Sequence, residues 1–144
     1  MANVGIYPKE VRALAGSITR TVEVGEANVQ LGMIIRLNAD GKAVRARANS
    51  AAGATGKLGI VVSAAGALSD GSGTLANGDT ITVVLKGAVF VGKAAAMDET
   101  KPHFLSDDPG RIADAAGTVK RAVGYPLSSQ ILFFDDTDIE PSSS

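Results

Sequence analysis

The stretch Gly53-Ala-Thr-Gly56-Lys57 has part of the glycine and lysine spacing of a phosphate-binding loop. In such loops the backbone N–H groups hold phosphate oxygens and the lysine reaches toward them. The complete pattern requires Gly at position 51 and Ser or Thr at position 58, where this chain has Ala51 and Leu58. No helix is predicted after the motif to direct its positive end at a phosphate. The pattern therefore does not predict a nucleotide site.

Three acidic residues near the C-terminus, Asp136, Asp138 and Glu140, have the alternate spacing that opens a calcium-binding loop. That loop needs Gly at its sixth position and a bidentate Glu at its twelfth. Pro141 occupies the sixth position, and the sequence has no residue at the twelfth. A solvated acidic tail is the better interpretation, and no metal site is predicted.

Acid–base or nucleophilic catalysis would have to use His103 or the adjacent carboxylates of Asp107 and Asp108. His103 is the only histidine and the chain has no cysteine, so neither a second imidazole nor a thiolate can join it. A histidine on the surface or in a strand is the favoured interpretation. Asp107 and Asp108 precede Pro109-Gly110, and Asp in such a turn bonds its local backbone. We therefore expect no enzyme activity and no cofactor.

Arginines on two neighbouring predicted strands could form a basic surface. Arg45 and Arg47 lie two residues apart and so share one strand face, and Arg36 is predicted on the partner strand. A groove for nucleic acid would also need interleaved aromatic residues, and the first 60 residues contain only Tyr7. Ion pairs with acidic neighbours explain the arginines equally well, so nucleic acid is not the favoured partner.

Length and composition favour one domain without disulfides. A chain of 144 residues falls in the usual single-domain range. Net charge is −1, but residues 1–60 hold eight basic and four acidic side chains, whereas residues 61–144 hold six and eleven. Such asymmetry can orient docking or self-assembly. No signal peptide and no apolar run of membrane-spanning length are expected.

The stretch Leu75–Val91, LANGDTITVVLKGAVFV, carries the clearest strand signal. Asn77-Gly78-Asp79 predicts a turn, because Asn and Gly accept positive φ. Ile81, Val83 and Leu85 then alternate with Thr80, Thr82, Val84 and Lys86, which is a strand period. We expect Lys86-Gly87 to break this run and Ala88–Val91 to form a second extended segment, giving a hairpin.

Further strand signals recur along the chain between glycine-rich turns, and no long helix is indicated. The pattern predicts an all-β fold, a small β-barrel or β-sandwich with an extended N-terminal arm. We divide the chain into an arm at residues 1–16, a β-rich domain at 17–135 and an acidic, serine-rich tail at 136–144. The remaining predicted strands are Ser17–Val24, Gly32–Leu37, Lys42–Arg47, Leu58–Ser63, His103–Leu105, Val119–Leu127 and Gln130–Phe134.

The arm is apolar but lacks clean strand alternation, and Gly16 separates it from the first predicted strand. Apolar side chains at a surface are costly unless something buries them. The covering surface could belong to another molecule or to the chain's own domain. Both alternatives, a docking arm and a strand or tail of its own domain, are open. If the arm docks, its contact residues are Val4, Ile6, Tyr7, Val11, Arg12 and Leu14.

The order of these parts resembles that of small phage capsid decoration, or cement, proteins. The resemblance spans residues 30–134 and rests on patterns of glycine and apolar residues. These are Gly32-Met33-Ile34-Ile35, Leu58-Gly59-Ile60-Val61-Val62, Asn77–Val83 continuing into Lys86-Gly87-Ala88-Val89-Phe90, Ala122–Leu127 and Gln130–Phe134.

The resemblance implies a virion protein on the outer surface of the capsid that binds the major capsid protein and stabilises contacts between its subunits. It also implies a homo-oligomer, with a trimer favoured and a dimer as the alternative. It implies no catalytic residue, cofactor or metal, and no membrane. The alternative function is a small β-barrel module that binds nucleic acid or polysaccharide.

Overall fold

The computed structural model describes residues 3–4, 11–64, 75, 78–92, 97–135 and 142–143. Within them the chain forms a curled antiparallel sheet, half of a barrel, so the predicted all-β class is confirmed. The described elements are β1 (Arg12–Ala13), β2 (Ile18–Glu23), β3 (Ile34–Leu37), β4 (Ala43–Arg45), α1 (Ala51–Ala54), β5 (Leu58–Ala64), β6 (Thr80–Phe90), β7 (His103–Leu105), β8 (Ile112–Ala113), β9 (Val119–Lys120), β10 (Ala122–Pro126), β11 (Ile131–Asp135) and β12 (Ser142–Ser143).

Strand β6 is the centre of the sheet. The strand order is β4-β3-β5-β6-β11-β10-β7-β8, and β1 and β2 also pair with β6. Val84 pairs with both β2 and β5, and Phe90 pairs with both β1 and β11. Because two strands that share a partner residue must lie on its opposite edges, β1 and β2 occupy one edge and β5 and β11 the other.

The first half of β6 is covered on both faces. Ile81 and Val83 belong to one apolar cluster and Val84 to another. The apolar side chains of β3 and β5 are divided between the two clusters in the same way, since consecutive residues of a strand point to opposite faces. The smaller cluster contains Val22, Val24, Val29, Ile35, Ala43, Val61, Leu75, Ile81 and Val83.

The predicted break at Lys86-Gly87 is wrong, because β6 continues through both residues. Gly87 has φ +139°, and a Cβ there would lie 2.6 Å from the Ser17 Oγ. The Ser17 hydroxyl lies 2.8 Å from the carbonyl oxygen of Leu14 and 3.1 Å from that of Ala88. Glycine is needed here to admit the turn between β1 and β2, and the strand continues because Gly87 stays paired with Phe134 of β11.

Two segments predicted as irregular contain short regular elements. The loop at residues 49–57 includes α1, and the side chain of its N-cap residue Ser50 accepts a hydrogen bond from the Gly53 N–H. In the tail, Ser142 and Ser143 pair with β9, so these two residues belong to a strand pair of the domain. The three residues of the suspected calcium motif lie outside the described part of the chain.

The described residues of the N-terminal segment pack on their own domain. Val4 and Val11 are each 7% exposed and belong to the main core cluster. The Val4 N–H donates to the Ile112 carbonyl, and β1 pairs with Phe90 and Val89 of β6. Of the two alternatives, these residues follow the second: burying apolar side chains in the chain's own core covers them without a partner. A docking role is wrong for Val4 and Val11, because the chain's own core covers their side chains.

Candidate docking face

The two sides of β11 differ in what covers them. Leu132 and Phe134 are fully buried in the main core. Because side chains alternate along a strand, Ile131, Phe133 and Asp135 point to the opposite side of the sheet, where they are partly exposed. This side is called the outer face below.

Sheet register extends the outer face across neighbouring strands. Directly paired residues of antiparallel strands present their side chains on the same side. Phe133 pairs with Ala88 of β6 and with Tyr125 of β10. Ile131 pairs with Phe90, whose other partner is Arg12.

Large exposed apolar side chains gather on this face. Among the described residues they are Ile18, 58% exposed, Tyr125, 61%, and Leu127, 59%. Ile18 pairs with Lys86, which in turn pairs with Asp135, so Ile18 lies on the outer face as well. Leu127 is held at the end of β10 by its N–H bond to the Ile131 carbonyl. Clustering of such groups on one face is typical of an interaction surface.

Aromatic residues are placed mainly outward. The chain has four Phe and two Tyr. Phe90, Phe133 and Tyr125 lie on the outer face, and Phe104 points to the same side of β7 because its neighbours His103 and Leu105 are buried. Among the described residues, Phe134 is the aromatic side chain in the core. Aromatic residues normally contribute strongly to cores and to interfaces, so this outward placement favours an interface.

Arg12 completes the face with a positive charge. Its guanidinium carbon lies 4.5 Å from the centre of the Phe90 ring, which is a cation–π contact. Leu14 lies one alternation further along the same segment, where its N–H donates to the Ala88 carbonyl. The outer face is therefore apolar and aromatic around Phe90 and Phe133, with Arg12 at one edge and the charged pair Lys86 and Asp135 beside Ile18.

The predicted contact residues separate into three groups. Arg12 and Leu14 lie on the outer face, Val4 and Val11 lie in the core, and Ile6 and Tyr7 lie outside the described residues. Sequence reasoning did not assign the rest of the face to contacts. A signal was present: Ile131-Leu-Phe-Phe134 is apolar at every position, which indicates a strand that has apolar side chains on both sides.

A second candidate site is a pocket of about 380 Å³ at the hairpin of β3 and β4. It brings together the three arginines that the sequence placed on neighbouring strands. Its lining residues are Glu26, Arg36, Asn38, Val44, Arg45, Arg47, Ser50, Ala52, Gly53 and Pro109.

In the glycine-rich stretch at residues 53–57, the backbone groups are oriented in the opposite sense to those of a phosphate loop. Arg121 is fully buried, and its guanidinium donates to the carbonyl oxygens of Ala54 at 2.7 Å and Gly56 at 2.9 Å. Carbonyl oxygens thus turn toward a cation, whereas a phosphate loop turns N–H groups toward an anion. Lys57 donates to the Leu85 carbonyl. The expectation of no nucleotide loop here agrees with this geometry.

His103 is a buried strand residue, so the strand alternative holds and the surface alternative is wrong. Its Nδ1 lies 3.3 Å from the Lys101 carbonyl oxygen, and its Nε2 has no hydrogen-bond partner among the described residues. Burial lowers the pKa of this imidazole, which favours its neutral form. Asp107 accepts from the N–H and the hydroxyl of Thr118, so its carboxylate ties two loops together.

In the described part of the chain, no three His, Cys, Asp or Glu side chains come together where they could hold a metal ion. No helix within the same residues has the length and apolar character needed to cross a bilayer. Comparisons of the chain with family models, with curated proteins and with solved structures found no match.

Proposed function

We propose that this protein is a capsid decoration protein that docks its outer face on the surface of a phage head and stabilises contacts between major capsid subunits. The observation that carries the proposal is the outer face itself, where Ile18, Tyr125 and Leu127 are more than half exposed beside half-buried Phe90 and Phe133. The resemblance in residue pattern gives that face its proposed partner.

The chemistry of the outer face suits binding to a protein surface. Interfaces are enriched in aromatic residues and arginine at their centre, and Tyr and Phe contribute large contact areas with few rotatable bonds. Tyr125, Phe133 and Arg12 supply these residue types on one side of a sheet. Because the backbone of each is held in a strand, little conformational entropy is lost when the face is covered.

Stabilisation of the shell follows from mass action. A protein that binds the assembled shell and not its separated subunits lowers the free energy of the shell by linkage. A homo-oligomer, with a trimer favoured and a dimer as the alternative, would add binding strength by raising the effective concentration of each further copy. The proposed location is the outer surface of the capsid.

The test is co-sedimentation of the purified protein with phage heads that lack it. Substituting both Tyr125→Ser and Leu127→Ser should weaken binding at least about tenfold, because each removes an exposed anchor without removing core contacts. Tyr125→Phe is the matched control, since it keeps the ring and should bind like the parent. The exposed strand residue Thr21 provides a second control, Thr21→Ser, away from the face.

Circular dichroism and thermal melting must show that each variant is folded. Equal binding by the double variant and the parent would contradict the outer face as the docking surface. If instead the protein binds single-stranded DNA or a polysaccharide through the same two residues and does not bind heads, the alternative binding module is correct, because aromatic rings also stack on bases and sugars.

A further inference from the structure

The pocket at the β3–β4 hairpin gathers more positive charge than its own acid neutralises. Three arginines and one glutamate line it. The Glu26 carboxylate accepts from the Arg45 backbone N–H at 2.6 Å and lies 3.4 Å from the Arg45 Nε, so this acid is paired with Arg45. The positive charges of two guanidinium groups, those of Arg36 and Arg47, are not balanced by this glutamate.

Neither of these two guanidinium groups has an acidic partner within the described residues. The Arg36 Nε is buried and has no hydrogen-bond acceptor there. A buried N–H donor without an acceptor is destabilising, and more so when the group is charged. Arg36 lines the pocket, so an anion bound there would supply the counter-charge that the described residues do not place beside this guanidinium.

The backbone fixes the positions of these side chains. Arg36 lies on β3 opposite Val44 of β4. The Arg47 N–H donates to the Gly53 carbonyl at 3.0 Å, which seats the loop of residues 50–53 against the arginines. A Cβ at Gly53 would lie 2.8 Å from the Arg47 carbonyl oxygen, so this close approach requires glycine. The backbone of the hairpin and of the loop therefore fixes the shape of the pocket.

We propose that this pocket binds a phosphate group in its dianionic form, as inorganic phosphate or as the terminal phosphate of a small phosphomonoester. Two guanidinium groups match two negative charges, and the planar donor fork of arginine fits phosphate oxygens in bidentate fashion. A single carboxylate would leave one positive charge unbalanced.

The size of the pocket also fits this ligand class. A volume of about 380 Å³ lies in the range of small-molecule sites, and it exceeds that of one phosphate. Ser50 and Asn38 stand at the wall with a hydroxyl and an amide that can donate to further oxygens. The pocket lies on β3 and β4, at the opposite end of the strand order from β10, so this site does not depend on the docking face.

Isothermal titration calorimetry of the full chain with inorganic phosphate, at constant ionic strength in chloride, tests the proposal. Arg36→Gln and Arg47→Gln should each weaken phosphate binding at least about tenfold, because each removes charge-assisted hydrogen bonds. Arg20→Gln is the matched control: Arg20 is an exposed arginine of β2 outside the pocket, and its loss should leave binding unchanged.

A phosphomonoester such as phosphoserine, titrated in parallel, distinguishes the two sources of the group. Tighter binding of phosphoserine assigns the extra volume to an organic part, and equal or weaker binding assigns the site to free phosphate. The proposal is wrong if phosphate does not bind, or if the Arg36 and Arg47 variants bind it as the parent does. It is equally wrong if only DNA binds, through residues other than these two.

Discussion

The inner and outer faces of β11 are both apolar but differ in how far the chain buries them. On the inner face Phe134 is fully buried with Leu132, whereas on the outer face Phe133 and Ile131 are only half covered. Both faces are apolar, yet only the inner one is covered by the chain itself. Apolar residues that the fold does not bury contribute little to its stability, which is why we propose a partner for this face.

Strand β1 belongs to both faces within three residues, because Arg12 and Leu14 point outward and Ala13 packs inward. Deleting residues 1–16 should therefore have the largest effect. It removes β1 and the buried side chains of Val4 and Val11, and two such side chains contribute about 3–6 kcal/mol. We expect a chain that begins at Ser17 to be unfolded or strongly destabilised by circular dichroism and urea titration. A truncated chain with an unchanged midpoint would restore the docking-arm hypothesis.

The sharpest comparison is Phe134→Ala with Phe133→Ala. The first opens a cavity in the main core and should lower the free energy of unfolding by about 3–5 kcal/mol. The second truncates a partly exposed side chain and should cost clearly less than the first, while weakening binding to heads. Urea unfolding measures the first effect and co-sedimentation the second. Similar destabilisation by the two substitutions would show that the outer face is part of the core.

Strand positions in this protein follow from sequence because alternation and turn residues act locally. β2, β3, β4, β7 and β10 occur within their predicted ranges, whereas β5 and β11 each extend one residue beyond theirs, to Ala64 and Asp135. Alternation alone cannot tell which of Phe133 and Phe134 points inward, since a shift of one residue exchanges the two faces. That choice is fixed by the pairing of β11 with β6 and β10, which joins residues distant in the chain.

Long-range contacts also explain what could not be predicted about the pocket at the β3–β4 hairpin. Arg36 lies on β3 beside β4 as predicted, but β4 ends at Arg45, so Arg47 lies beyond the strand on which it was predicted. The pairing of Glu26 with Arg45 and the approach of Gly53 to Arg47 join separate loops, and no local pattern reports them. The break predicted at Gly87 failed for a similar reason, because Ser17 fills the space that this glycine leaves.

Gly78, in the turn before β6, and Gly87, within β6, allow the cost of backbone strain to be distinguished from the cost of steric crowding. Gly78 and Gly87 both have positive φ, +97° and +139°, but a Cβ at Gly78 meets nothing within 4 Å, whereas one at Gly87 meets Ser17. Gly78→Ala should cost about 1–2 kcal/mol from strain alone. Gly87→Ala should cost at least about 1 kcal/mol more, because the turn between β1 and β2 must shift. Equal melting temperatures for the two variants would contradict this difference.

The inner face also carries a pH dependence through His103. Burial lowers the pKa of His103 below its ordinary value of 6.5, so the unfolded chain binds a proton before the folded one does. Stability should be constant above pH 6.5 and fall below it, by up to about 1.4 kcal/mol per pH unit. His103→Gln should remove this slope. Asp98, whose pKa is lowered from 3.8 chiefly by its hydrogen bonds from Thr100, acts only at more acidic pH.

The smallest expected effect on stability belongs to Arg12, at the edge of the outer face. Its contact with the Phe90 ring is partly exposed, and such cation–π pairs contribute about 0.5–1 kcal/mol. Arg12→Gln should therefore lower the free energy of unfolding by no more than this, while binding to heads weakens and loses part of its salt dependence, because a charge at an interface rim acts through screened attraction. Arg20→Gln, on β2, removes a charge of the same sign without a ring contact and serves as the control for the stability measurement. Co-sedimentation at two salt concentrations separates the outcomes. If Arg12→Gln destabilises the fold by several kcal/mol, Arg12 is a structural residue of β1; if it changes neither stability nor binding, the edge of the face lies beyond the contact.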